Sequence, residues 1–157
     1  MGTAARARQL YTPEQRARRD ATRWTAVQGI LAPLQFVVFL ASVVLVLRYL
    51  ATGTGYDVAT ASILLKTALL YIIMVTGAIW EKVVFGQYLL APAFFWEDIF
   101  SFGVIALHTA YLWALFSGAS PQVQMAVALA AYAAYVVNAV QFVLKLRAAR
   151  LQAGAVA

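Results

Sequence analysis

The sequence has no cysteine, one histidine and only six acidic residues among its 157. Without cysteine there is no disulfide, no thiolate metal site and no thiol nucleophile. A single histidine leaves a zinc centre or a bis-histidine haem short of ligands. Charged residues make up 11% of the chain and hydrophobic ones 64%, where a soluble domain carries roughly 25% charge. Helices that are apolar on every face must be buried in protein or in lipid, and so small a chain has too little interior for several of them. The composition therefore predicts an integral membrane protein. Also missing are a phosphate loop, a dinucleotide fingerprint, a Ser–His–Asp order and a metalloprotease motif. Proton transfer by carboxyl groups is the side-chain chemistry that remains.

What is present is ordered by position. The net charge is +6, and six of the twelve cations (Arg6, Arg8, Arg16, Arg18, Arg19, Arg23) precede residue 24. That is where a membrane protein keeps its retention signal, so the charge does not predict nucleic acid as a partner. Residues 1–23 read as a basic segment, either a cytoplasmic tail or an amphipathic stretch lying on anionic headgroups. Within it Thr12-Pro13-Glu14-Gln15 is a helix start. Residues 24–147 read as a transmembrane domain with spans at about 24–50, 58–81, 95–116 and 122–146, each close to the ~20 residues that a crossing helix needs. Pro33 predicts a kink in the first span. Val83–Phe95, with Gly86 and Pro92, is too short to cross and reads as a loop or an interfacial re-entrant segment. Residues 148–157 are expected to be a C-terminal tail. The expected fold class is all-α, a four-helix membrane bundle with both termini cytoplasmic, since Lys82, Lys145, Arg147 and Arg150 join the N-terminal arginines on one side.

Residues 76–98, TGAIWEKVVFGQYLLAPAFFWED, organise the rest. They hold three of the six acids (Glu81, Glu97, Asp98) and two of the four tryptophans (Trp80, Trp96). At a similar depth lie Gln28 on the first span and a stripe of Asn138, Gln141 and Lys145 at i, i+3 and i+7 on the fourth. A polar group alone in lipid costs kilocalories, so these residues are expected to share a polar region. One reading is a lock in which Lys145 or Lys82 pairs with Glu97 or Glu81, and the other is a functional site. Lys66, deep in the second span, must find a partner, snorkel or lose its proton. Glu97 and His108 return to nearly the same helical face at a rise of ~16 Å, so a flat ring along that face would meet both. Alternatively His108 pairs with a neighbouring helix.

The segments LYTPEQRARRD (10–20), WTAVQGILAPLQFVVFLASVVLVLRYLATG (24–53), TGAIWEKVVFGQYLLAPAFFWED (76–98), ALHTAYL (106–112) and ALAAYAAYVVNAVQFVLKLRAARL (128–151) resemble the 3-vinyl bacteriochlorophyllide hydratase family of purple phototrophic bacteria. The resemblance covers nearly the whole chain. It implies a hydro-lyase of bacteriochlorophyll synthesis that adds water to the C3 vinyl group of chlorophyllide a or 3-vinyl-bacteriochlorophyllide a, giving a 1-hydroxyethyl group. The setting it implies is the bacterial inner (intracytoplasmic) membrane. Besides lipid, other enzymes of the pathway and further copies of the chain are possible partners. No cofactor is expected, because the magnesium belongs to the tetrapyrrole substrate. The residue roles are our own inference: Glu97 as acid, Asp98 or Glu81 as the base that activates water, and Trp80 and Trp96 stacking on the ring. His108 is a candidate ligand to the pigment's magnesium. Lys82, Lys145 or an arginine would meet its carboxylate, and Gln28, Asn138 and Gln141 would line the site. The rivals are a non-enzymatic (bacterio)chlorophyllide carrier and a small quinone or b-haem electron carrier.

Overall fold

In a computed structural model of the protein, residues 9–156 are described; Arg6 and Arg8 of the basic segment lie outside them. A first helix, α1 (Pro13–Ala21), starts where its sequence signal places it. Thr12 Oγ1 accepts from the Gln15 N–H at 3.2 Å, and Gln15 Oε1 accepts from the Thr12 N–H at 2.9 Å. This reciprocal box satisfies two amides that the helix leaves open. Thr22 then ends α1 with its own N–H on the Arg18 carbonyl and caps α2 with its hydroxyl on the Trp24 N–H.

Four long helices follow: α2 (Arg23–Thr52), α3 (Tyr56–Phe85), α4 (Phe95–Phe116) and α5 (Pro121–Val156). The described chain is all helix, turn and bend, with no strand among the described residues. Pro33 is carried inside an unbroken α2, where one missing backbone bond is tolerated in lipid. Gly53, at a φ of 71°, turns α2 toward α3 in a conformation that a side chain would strain. The protein is a multi-pass membrane protein: all four long helices are apolar enough to cross. Trp113 and Phe116 are 78% and 80% exposed, among many large apolar side chains that a hydrocarbon surround would cover.

α2 and α3 pack along their length as one hairpin and α4 and α5 as another, while the two hairpins meet over a shorter seam. Phe39, Ile63, Tyr111, Tyr132 and Tyr135 fill that seam. Ser42 joins three helices there, with its hydroxyl 2.7 Å from Ser62 Oγ and 2.6 Å from Tyr132 OH. Such bonds hold helices together where no hydrophobic drive operates between them.

Two boundaries differ from the sequence expectation. Residues 148–156 are a continuation of α5 and not a tail, because alanines, one arginine and a leucine favour helix and Gly154 is the first weak former. Val83–Phe85 belong to α3, so the non-helical segment starts only at Gly86 and closes with a 3₁₀ turn over Pro92–Phe94. Both described ends of the chain lie at the same end of the bundle, where the Leu10 N–H reaches Gln152 Oε1 at 3.3 Å.

Candidate functional site

At that arginine-rich end the segment Gly86–Ala91 folds back over the ends of α3 and α4. Gly86 (φ 88°) stops α3, and Leu90 adopts a left-handed conformation (φ 60°) that a leucine seldom takes. The two successive amides that follow point at carboxyl groups. The Leu90 N–H donates to Asp98 Oδ2 at 2.8 Å and the Ala91 N–H to Glu81 Oε2 at 3.4 Å. Glu81 and Asp98 are 5% and 3% exposed, and their carboxyl groups are neighbours. Two adjacent buried carboxyl groups cannot both be ionised without a large penalty. The left-handed turn at Leu90 thus aims two successive amides at a buried carboxyl pair.

Glu97, next in sequence to Asp98, faces elsewhere. Its Oε1 accepts from Lys145 Nζ at 3.1 Å, and that ammonium also donates to the Ala93 carbonyl at 2.7 Å. Glu97 Oε2 is buried without a partner. Behind it, Asn138 Nδ2 donates to the Glu97 carbonyl at 2.9 Å and lies 3.3 Å from Gln141 Oε1. The Ser101 hydroxyl sits 2.8 Å from the same carbonyl and 3.0 Å from Asn138 Oδ1. The stripe of Asn138, Gln141 and Lys145 does meet α4 as one polar seam. Of the four possible pairings of Lys145 or Lys82 with Glu97 or Glu81, the ion pair formed is Lys145–Glu97.

Around these groups runs an aromatic cluster. Tyr11 stacks on Phe85 (centroids 5.8 Å, 11° between planes), Trp80 meets Phe85 and Phe94 edge-on, and Phe94 lies over Phe142. Phe85, Pro92, Ala93 and Lys145 line a cleft of about 480 Å³ together with Gln9, Leu10 and Gln15 of the N-terminal segment. Carboxyl pair, ion pair, aromatic cluster and cleft are gathered within the two segments 80–98 and 138–152 and the strap over residues 9–15.

The remaining expected residues are placed apart. Gln28 donates to Thr76 Oγ1 at 2.6 Å and fits against Gly77, where a Cβ would stand 3.3 Å from its Oε1. Trp80 is half-buried with its indole N–H on Thr25 Oγ1 (2.9 Å), whereas Trp96 is 65% exposed on the outer face against Phe95. The two tryptophans therefore do not form one slot. Lys82 is exposed and donates to the Gly86 carbonyl at 2.9 Å, capping α3. His108 lies in the bundle seam, 1% exposed, with Nδ1 2.8 Å from the Val104 carbonyl and Nε2 without a partner. Lys66, fully buried, has no carboxylate beside it. Its ammonium rests 3.6 Å above the Tyr135 ring and 3.1 Å from Gln35 Oε1, a neutral cradle for a buried cation. Sequence reasoning did not find the Leu90 and Ala91 amides, which carry no residue-type signal, or the strap residues Tyr11 and Gln15.

The family profile described as 2-vinyl bacteriochlorophyllide hydratase (BCHF) matches residues 11–148. The chain is 78% identical over 148 residues to the 2-vinyl bacteriochlorophyllide hydratase of Cereibacter sphaeroides, covering 94% of this chain and 92% of that one. It is 75% identical over 144 residues to the protein of the same name from Rhodobacter capsulatus, covering 92% of this chain and 84% of the relative. No solved structure matches.

Proposed function

The chain belongs to the 2-vinyl bacteriochlorophyllide hydratase family, and on that premise we propose that it adds water to the vinyl group of a bacteriochlorophyllide or chlorophyllide, at ring position C3 in current numbering. The product is the 1-hydroxyethyl pigment. The Glu81–Asp98 pair carries this reading. An unactivated vinyl group is not attacked by water, so a proton must first be delivered to its terminal carbon. The positive charge then formed on the inner carbon spreads into the conjugated ring. Water adds there, a C–O bond forms, and the extra proton returns to the carboxyl pair, which ends as it began. One vinyl group and one water are consumed without electron transfer, and the magnesium stays with the substrate.

The division of labour follows from hydrogen-bond accounting. Asp98 has the short backbone bond from Leu90 (2.8 Å) and Glu81 the long one from Ala91 (3.4 Å). Asp98 is therefore assigned the carboxylate that takes up the water proton, and Glu81 the group that donates. Glu97, held by Lys145, serves in place of a proton donor as the anchor that fixes the ammonium at the cleft. Phe85 lines the cleft with the rings of Trp80, Phe94 and Phe142 packed behind it, an apolar wall for a flat conjugated ring. The cations gathered at this end of the bundle support a cytoplasmic orientation for the site, in the bacterial inner membrane that this reading implies.

The test is to incubate membranes containing the protein with the vinyl pigment. Gain of one water by mass spectrometry, with the blue shift that accompanies loss of vinyl conjugation, supports the reading. Pigment that binds and is recovered unchanged makes the protein a carrier and overturns it.

A further inference from the structure

Resting on that reading, we propose that the cleft beside Lys145 is the seat of the substrate's carboxylate, and that Lys145 is the residue that selects the free acid over its ester. An ammonium has three N–H donors. Glu97 Oε1 and the Ala93 carbonyl take two of them. Lys145 lines the cleft and its side chain is 30% exposed, so the third donor has an open side to face.

The rest of the lining fits the same ligand. Gln9 and Gln15 of the strap bring amide groups to the walls, and no acidic side chain is among the lining residues. An anion entering the cleft thus meets one cation and these amides, with Glu97 standing behind the ammonium. The floor of Phe85, Pro92 and Ala93 is apolar and leads to the aromatic cluster. A ligand with a carboxylate at one edge and a large flat apolar body matches this sequence of surfaces. A free-acid tetrapyrrole has that form. Its ester does not, because esterification removes the charge and adds an alkyl group where the amides stand.

A hydrogen bond between charged groups sets the expected discrimination at about 10- to 100-fold. This should appear in KM more than in kcat, because the contact is made equally in the ground and transition states.

The experiment compares the vinyl free acid with its methyl ester, using the full chain in detergent, by initial rates and by equilibrium pigment binding. The wild type should favour the acid 10- to 100-fold in KM and in binding. In Lys145→Gln the ratio should fall to within about threefold of unity. Should that variant fail to accumulate, the double variant Glu97→Gln/Lys145→Gln, which leaves no unpaired charge behind, carries the same comparison. Equal KM and equal binding for acid and ester in the wild type overturn the proposal while leaving the hydratase reading intact. A preference for the acid that survives the loss of Lys145 overturns the assignment to that residue. Absence of hydration with both pigments, together with tighter binding of the acid, removes the hydratase reading and keeps the carboxylate seat.

Discussion

Replacing Asp98 by Asn is the sharpest test of the carboxyl pair. The change keeps an oxygen that can accept the Leu90 N–H at 2.8 Å, and the new amide group can donate to Glu81. Volume and hydrogen-bond count are nearly conserved at a position only 3% exposed, so the protein should still accumulate in the membrane. What is lost is the anion that takes the proton from water. General acid–base catalysis contributes about 10²- to 10⁴-fold, which is about 2.7–5.4 kcal/mol in the barrier at 1.36 kcal/mol per decade. Hydration followed by absorption should fall by that factor, with KM changed by less than about threefold, since the pair does not hold the ring. Glu81→Gln should fall comparably. Because the two groups work as one unit around one shared proton, the double variant should be scarcely worse than either single one. If Asp98→Asn keeps more than about a tenth of wild-type kcat, a loss smaller than the bottom of that range, or if the two losses simply add, the pair is not the acid–base unit.

Three further outcomes follow from the geometry. Lys145→Met leaves Glu97, 7% exposed, without its cation; loss of about 2–3 kcal/mol in a detergent unfolding assay is expected, the lower end for a broken buried pair because the lysine is partly solvated. Adding Glu97→Gln should recover much of it. At Leu90 the left-handed backbone (φ 60°) suits glycine and excludes proline; Leu90→Gly should leave activity and stability within about 1 kcal/mol of wild type, whereas Leu90→Pro, which also removes the N–H that Asp98 accepts, should abolish hydration. At Tyr11, burial raises the pKa above the ordinary 10.0, and the charge of Arg19, together with a hydrogen bond from it, works the other way. The native segment thus binds the phenol proton more tightly than the unfolded one, so docking is at full strength below pH 10.0 and weakens as pH rises through the elevated value. Limited proteolysis at Arg16 and Arg18 should accelerate across that window in the wild type and lose this pH dependence in Tyr11→Phe.

Much of this architecture is legible in residue type alone. Long uncharged runs and the Thr12 cap locate the helices, since each rests on local chemistry. Clustering of Glu81, Glu97, Asp98, Asn138, Gln141 and Lys145 is likewise foreseeable, because polar groups at one depth in lipid have only one another. Which carboxyl faces which partner is not. Glu97 and Asp98 are consecutive and therefore about 100° apart around α4, and only packing decides that one meets Lys145 and the other Glu81. Trp80 and Trp96 carry the same residue signal, yet one lies inside and one outside, since a tryptophan is equally at home in a core and at a lipid boundary. The left-handed Leu90 has no signature at all, being imposed by closure of a short loop between two fixed helix ends.

The hydrogen bond between Leu10 and Gln152 has a consequence for how the protein is made. Residues from the start of the described chain and from the far part of α5 line one cleft, so a chain in which only α2 to α4 have formed does not yet have it. Whatever that cleft holds, it holds only once α5 has been made and packed.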